Sequence, residues 1–522
     1  MSQQNTAHQC SSSLWVADRG DGTYRNPILF ADYSDPDVVR VGDDFYMVAS
    51  SFNCAPGMPV LHSNDLVNWR IVNHVFDRLP YSIYDEPAHG CGAWAPSIRY
   101  HDDKFWVFFS TPDEGVFMST ASDPVGEWSP LHLVKAAKGW IDPCPFWDDD
   151  GQAYLVHAFA KSRAGVKSLL QICRMKPDGT ALLDDGQIVF DGTEKHPTIE
   201  GPKMHKREGT YTIFAPAGGV VPGWQTVLTS RDIYGPYDDR IVMAQGNTEI
   251  NGPHQGAWIE LESGESWFVH FQDCGPYGRI VHLQPVEWRD GWPVIGKDRN
   301  GDGIGEPVAG WKKPDVGDIY PVAVPQTTDE FDSEDLGLQW QWHANPKPEW
   351  MSLTESKGNL RLYAMPALTD ANLWHAPNLL LQKLPAPAFT VTARLTFRPE
   401  GEGERAGLVV MGYDYAYVAL RSTGSGRQLV QCECANANDA PSLQEIAGAS
   451  LAGESVNLRV SVREGALCRF SYSEDGRAFV PVGREFQARQ GHWIGAKVGL
   501  FCVNLNSEPS RGFADFGWFR FE

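Results

Sequence analysis

The sequence predicts an all-β protein: a five-bladed β-propeller followed by a β-sandwich. Three observations predict this. Short apolar–aromatic runs bounded by Gly, Pro, Asp and Asn dominate the chain. A Ser–Asp turn recurs through the first 300 residues. After a Pro- and Thr-containing stretch, VGDIYPVAVPQTT, the runs change to regular inward–outward alternation.

The runs DFYMVASSF (44–52), KFWVFFST (104–111), AYLVHAF (153–159), TYTIFAPA (210–217) and SWFVHFQD (266–273) are each of strand length and bounded by turn residues. No long stretch shows the i, i+3, i+4, i+7 apolar spacing of a helix. HSNDLVNW, STASDPVGEW and TSRDIYGPY share one pattern: Ser, a short gap, Asp, an apolar or Pro residue, then a turn ending in an aromatic. Asp65 and Asp123 lie 58 residues apart, and Asp232 follows after 109, close to two such periods. A period of this length, with about four strands per unit, describes propeller blades. Five units fit residues 25–320, with a degenerate third copy near DGTALLDDG (178–186). Residues 1–322 are therefore assigned to the propeller and 323–522 to the sandwich. Alternating runs such as FTVTARLTF (389–397), YAYVALRS (415–422) and VNLRVSVRE (456–464) define the second unit.

Composition narrows the function. The 522-residue chain has a net charge of −22. That argues against nucleic acid, an anionic membrane surface or a polyanionic sugar as a partner and favours a neutral ligand. No apolar stretch of about 18 residues occurs. Aromatics reach 12%, with 19 Trp, which suits an all-β core and also flat faces for sugar rings. The 10 Cys show no disulfide-like regularity, and Cys432 and Cys434 are too isolated for a zinc site. Free thiols and an N-terminus without an apolar leader pattern lead to a cytoplasmic expectation. Association into a homo-oligomer is left open.

Innermost propeller strands face a central axis, so acids at blade entries meet in space though distant in sequence. Asp35 in YSDPDVV, Asp142 in WIDPCPFW and Glu200 in IEGPKM each precede or open a strand close to a Pro. Cleavage of a glycosidic bond needs one protonated and one ionised carboxyl group. A third acid keeps the donor protonated by like-charge repulsion. Asp-Pro and Glu-Gly-Pro are also ordinary turn formers, so spacing alone leaves both readings open.

The motifs NPILFADYSDPDVVRVGDDFYMVASSF, HSNDLVNW, WAPSIRY, WIDPCPFWDDDG, IEGPKM, GPHQGAW and YGRIVHLQPVEW run through the first domain in order. Together they resemble glycoside hydrolase family 43, in particular β-xylosidases and α-L-arabinofuranosidases with a C-terminal concanavalin-like sandwich. FDSEDLGLQWQWHANPKPEW and the closing ADFGWF are similar to the second domain of that family. The resemblance implies an exo-acting, inverting hydrolase of neutral xylo- or arabino-oligosaccharides. Asp35 then matches the general base, Glu200 the general acid, and Asp142 the acid that modulates the donor. Asp37, two residues on, is a nearby decoy.

The same resemblance implies that Arg279 contacts sugar hydroxyls and that Phe52 and Trp94 wall the pocket. Trp140 and Gln225 are further expected neighbours of the sugar, and Trp493 is an expected contribution of the sandwich to the rim. His254, in NGPHQGAW, matches a histidine that helps hold a hydrated calcium ion. No cofactor is expected for the chemistry itself. Asp298, Asn300 and Asp302 have calcium-loop spacing, but Ala309 stands where the closing Glu belongs. Asp332 and Asp515 are weaker cation candidates in the sandwich. Two other readings are weighed: a sugar-binding propeller without catalysis, which has no need of three converging acids, and a retaining fructan-type propeller, whose signature is missing.

Overall fold

A computed structural model describes residues 14–366, 372–451, 453–505 and 510–522. Five four-stranded antiparallel sheets follow one another in chain order. Blade 1 comprises Asp37–Val41, Asp44–Val48, Gly57–Ser63 and Arg70–Phe76. Blade 2 comprises Trp94–His101, Lys104–Thr111, Gly115–Ala121 and His132–Ala136. Blade 3 runs through Trp140–Trp147, Ala153–Phe159, Leu169–Met175 and Gln187–Asp191. Blade 4 runs through Lys203–Arg207, Thr210–Ala217, Trp224–Ser230 and Asp238–Ala244. Blade 5 closes with His254–Glu260, Ser266–Asp273, Arg279–Arg289 and Trp292–Ile295.

The repeated Ser–Asp turn joins the third and fourth strands of blades 1, 2 and 4. Its aspartate closes the turn on the backbone two residues ahead. Asp65 accepts the Val67 N–H at 3.0 Å, Asp123 that of Val125 at 2.9 Å, and Asp232 that of Tyr234 at 2.9 Å. The degenerate segment 178–186 occupies the same place in blade 3, and in blade 5 the two-residue turn Asp290–Gly291 replaces it. The ring is closed by reciprocal backbone bonds between Leu29 and Val281, and by pairing of Thr23–Arg25 with Gly310–Lys312.

A second, shorter repeat fixes the site. Each blade meets its innermost strand at a residue with positive φ: Asp35 (55°), Ala95 (25°), Asp142 (57°), Gly201 (57°) and Gln255 (34°). In the first four blades a proline follows directly. In blades 2, 3 and 5 the pairing register also slips at this point. A bulge of this kind re-aims a side chain. Left-handed backbone costs a non-glycine residue roughly 1–2 kcal/mol, so four such residues in one ring are strain concentrated at the axis.

The sandwich has two eight-stranded sheets. Val391, Leu395, Leu458, Val460 and Phe516 of one sheet pack against Leu408, Val418 and Leu500 of the other, all fully buried. The closing strand Phe513–Phe521 lies inside its sheet, between Leu360–Tyr363 and Phe389–Arg398. The predicted boundary at 322/323 falls between the last propeller pairing at Gly310–Lys312 and the first sandwich strand at Gln341–Trp342. The two domains are joined by polar contacts: Trp342 and Ala55 exchange backbone bonds, and Asn345 bonds to Leu79 through both side-chain ends. No helix among the described residues is long and apolar enough to cross a membrane.

Candidate active site

The three acids predicted from sequence line one cavity of about 270 Å³ at the propeller axis. Asp35 and Asp142 occupy the positive-φ positions of blades 1 and 3. Glu200 does not occupy the equivalent position; it stands one residue earlier, and Gly201 takes the kink. That offset corrects the expectation of three equivalent acids. It also gives Glu200 a more open setting: its side chain is 25% exposed, whereas Asp35 and Asp142 are buried.

Asp35 is held on every side. Its Oδ2 accepts hydrogen bonds from Ser34 Oγ at 2.7 Å and Ser50 Oγ at 2.6 Å. Arg279 Nη1 lies 3.1 Å from Oδ1 and also donates to Ser34 Oγ. Ser50 Oγ in turn accepts the Ala95 N–H, which ties Asp35 to the kink of blade 2. Asp142 Oδ2 accepts the Gly201 N–H at 2.7 Å, so the third acid is fixed to the residue beside Glu200. Burial, then the Asp35 charge, raises the Asp142 carboxyl well above its usual range. Burial, then the charges of Asp142 and Asp35, pushes Glu200 up to about 8. A cluster of three acids in one desolvated pocket cannot ionise fully, and Glu200 retains its proton near neutral pH.

Arg279 is aligned by Asp32. One carboxylate oxygen of Asp32 accepts the Arg279 N–H at 2.8 Å, and the other accepts the Gly495 N–H of the sandwich at 2.9 Å. A Cβ on Gly278 would stand 2.4 Å from Asp32, and one on Gly495 would stand 2.7 Å from the Gly278 nitrogen. Only glycine permits this approach. The docked loop carries Trp493, half exposed at the cavity mouth, with the Arg279 guanidinium 5.8 Å from its ring. Opposite stand Phe52 and Trp94, ring centroids 6.2 Å apart. The buried Trp94 Nε1 has no protein partner.

Two expected neighbours are not brought to the cavity. Trp140 stacks on His157 at 3.8 Å; its strand partner Phe159 lines the pocket instead. Gln225 is buried and donates to Thr226 O at 2.9 Å. Asp37 is a structural ion pair with Arg99 at 2.7 Å and accepts the Ile98 N–H. Sequence reasoning missed Asp32, Ser34, Ser50 and Gln255, whose buried side chain bonds to Asp142 at the cavity wall. Blade 5 lacks the proline that follows the other four kinks, so nothing local marks Gln255, and nothing local marks Asp32.

His254 is buried beneath the acids, with Nε2 3.5 Å from Glu200 Oε1. Burial pushes its pKa down to about 3, and neither ring nitrogen has a partner. No cluster of three or more His, Cys, Asp or Glu side chains suited to a metal occurs among the described residues. Asp298 is paired with Arg289 at 2.8 Å and accepts the Gly301 and Gly303 N–H groups, which closes an ordinary Gly–Asp turn. Asp515 is held by both nitrogens of the Arg361 fork, at 2.8 and 2.9 Å. No disulfide links the described cysteines; Cys10 lies outside the described residues.

Fold and site together define a glycoside hydrolase. The chain belongs to glycosyl hydrolases family 43: that family's profile matches residues 24–293, and the β-xylosidase C-terminal concanavalin A-like domain matches residues 328–522. A Xylanibacter ruminicola protein whose name places it among the β-xylosidases is 44% identical over 498 residues, covering 94% of this chain and 88% of that one. A β-xylosidase of Formosa agariphila is 34% identical over 97% of this chain and 91% of its own length. The non-reducing end α-L-arabinofuranosidase BoGH43B of Bacteroides ovatus is 31% identical over 80% and 79%. Among solved structures, the xylan β-1,4-xylosidase of Bacillus halodurans superposes with a TM-score of 0.84 at 26% identity, over 95% of this chain and 99% of that one. The chain spans 63% of a longer bifunctional GH43-CE protein of Bacteroides eggerthii (TM-score 0.83, 27% identity, 95% of this chain).

Proposed function

We propose that this hydrolase is an exo-acting β-xylosidase that removes terminal xylose from β-1,4-xylo-oligosaccharides with inversion. The observation that carries this reading is the pairing of a firmly held Asp35 with a proton-retaining Glu200 across one small pocket. Water gives its proton to Asp35 as its oxygen attacks the anomeric carbon. The bond to the leaving oxygen breaks, and Glu200 supplies the proton to that oxygen. Asp142 keeps Glu200 protonated between turnovers, and Arg279 orients both Asp35 and the sugar. Trp493 narrows the mouth, which favours release of one terminal unit over cleavage within a chain.

Proton NMR of early product tests the reading. α-Xylose is expected first from a β-linked substrate, and β-xylose first would overturn single displacement. The similarity to an α-L-arabinofuranosidase favours a second activity, arabinose removal, in the same pocket; a panel of xylo- and arabino-oligosaccharides with product chromatography separates the two. We further propose that a hydrated calcium ion sits on the axis by His254, where a neutral, unpartnered imidazole suits an ion carried in its own water shell. Such an ion would add positive potential under the acids, and no step runs through it. Cysteines outside any disulfide among the described residues fit a reducing compartment, and the cytoplasm is the proposed location.

A further inference from the structure

The net charge is −22, yet no Asp or Glu occurs from Gly151 to Pro177. That stretch carries Lys161, Arg163, Lys167, Arg174 and Lys176. Its centre, the short helix Lys161–Ala164 and the turn after it, forms one lip of the active-site cavity, with Lys161 and Lys167 on the lining. Arg163 is engaged by Asp113 at 3.4 Å and by the Trp94 ring, and Arg174 by Asp184 at 2.8 Å. Lys161 and Lys167 are exposed and stand in no ion pair with a carboxylate among the described residues. Lys167 Nζ donates only to Thr198 Oγ1, at 3.1 Å. Thr198 lies two residues before Glu200. Glu200, the proposed proton donor, and both lysines therefore line the same cavity.

We propose that the Lys161–Lys167 lip is a subsite for a carboxylate on the leaving group, so that xylosides of uronic- or aldonic-acid sugars are preferred over neutral ones. This rests on the reading of Glu200 as the proton donor. The global negative charge does not oppose it. At physiological ionic strength charges are screened beyond about 8 Å, so the two nearest lysines decide the field at the lip. Exposed pairs each contribute modestly, and two of them amount to a three- to ten-fold preference.

The test uses two substrates with the same scissile bond and open-chain leaving group: xylobiitol, which is neutral, and xylobionate, which is charged. In low salt the wild type is expected to show a kcat/KM for xylobionate about three to ten times that for xylobiitol. Lys161→Ala and Lys167→Ala should each lower that ratio, the double Glu variant should bring it below one, and about 0.5 M NaCl should flatten it to one. A wild-type ratio of one or less, or a ratio unchanged in the double variant, overturns the proposal. Failure to cleave either substrate sinks the xylosidase reading itself, and the subsite with it.

Discussion

Asp32 accepts the Gly495 N–H at 2.9 Å, across the boundary between propeller and sandwich, while its other oxygen holds the Arg279 backbone at 2.8 Å. One buried carboxylate thus sets both the cavity-lining Arg279 and the loop that carries Trp493. Hydrogen bonds to a charged group contribute about 1.5–3 kcal/mol each. Asp32→Ala is expected to lower kcat/KM on xylobiose by about 10- to 100-fold and to lower Tm. Asp32→Asn, which keeps one acceptor, should fall between. Wild-type kinetics in Asp32→Ala would remove the residue from any positioning role.

The two catalytic carboxyls should separate by leaving group. Glu200→Gln removes the proton donor, so cleavage of xylobiose should drop about 1,000-fold, within the range for general acid catalysis. A nitrophenyl xyloside, whose phenolate leaves without help, should lose far less. Asp35→Asn should slow both substrates alike, because water activation is needed in each case. Equal losses for Glu200→Gln on both substrates would contradict the assignment.

The pH profile follows from the raised acids. Glu200 must be protonated, and its pKa stands near 8, so kcat/KM should decline along a basic limb near pH 8. Stability falls with rising pH as well, but over a lower range. A carboxyl raised from 4.5 to about 8 holds its proton in the folded chain while the unfolded chain has lost it. Folding is therefore penalised progressively as pH rises from about 4.5 to about 8. Glu200→Gln should be more stable than the wild type at pH 8, with the difference in Tm shrinking towards pH 5. A constant difference across that range would show that the proton is not retained.

Trp493→Ala tests what the sandwich contributes to the mouth. The side chain is half exposed and has little core packing to lose. An aromatic contact of this kind contributes about 0.5–1.5 kcal/mol beyond area. KM should rise about three- to ten-fold with Tm nearly constant, and unchanged KM would place the ring outside the sugar's path.

The five-bladed plan was legible because three of the five blades repeat a local device, an aspartate closing a turn on its own backbone, as Asp65, Asp123 and Asp232 do. Asp35, Asp142 and Glu200 were legible for a similar reason, since each sits one or two residues before a proline at a blade entry. The one-residue offset of Glu200 was not, because whether the acid or its glycine takes positive φ is decided by the whole ring. Trp140 misled: a residue's neighbours along the chain do not tell which face of a bulged strand it occupies, and Phe159 won the pocket. Asp32 left no trace in sequence, because its partners lie 247 and 463 residues away.

The loop with Trp493 lies in the last tenth of the chain, and the strand Phe513–Phe521 inserts between two strands made far earlier. A ribosome therefore finishes all five blades, acids included, well before the mouth exists. The nascent propeller has its chemistry assembled but an unfinished rim, and the sandwich sheet can seal only once its central strand has emerged. The grip on the sugar at the mouth is therefore the last part of the site to form, after the acids are in place.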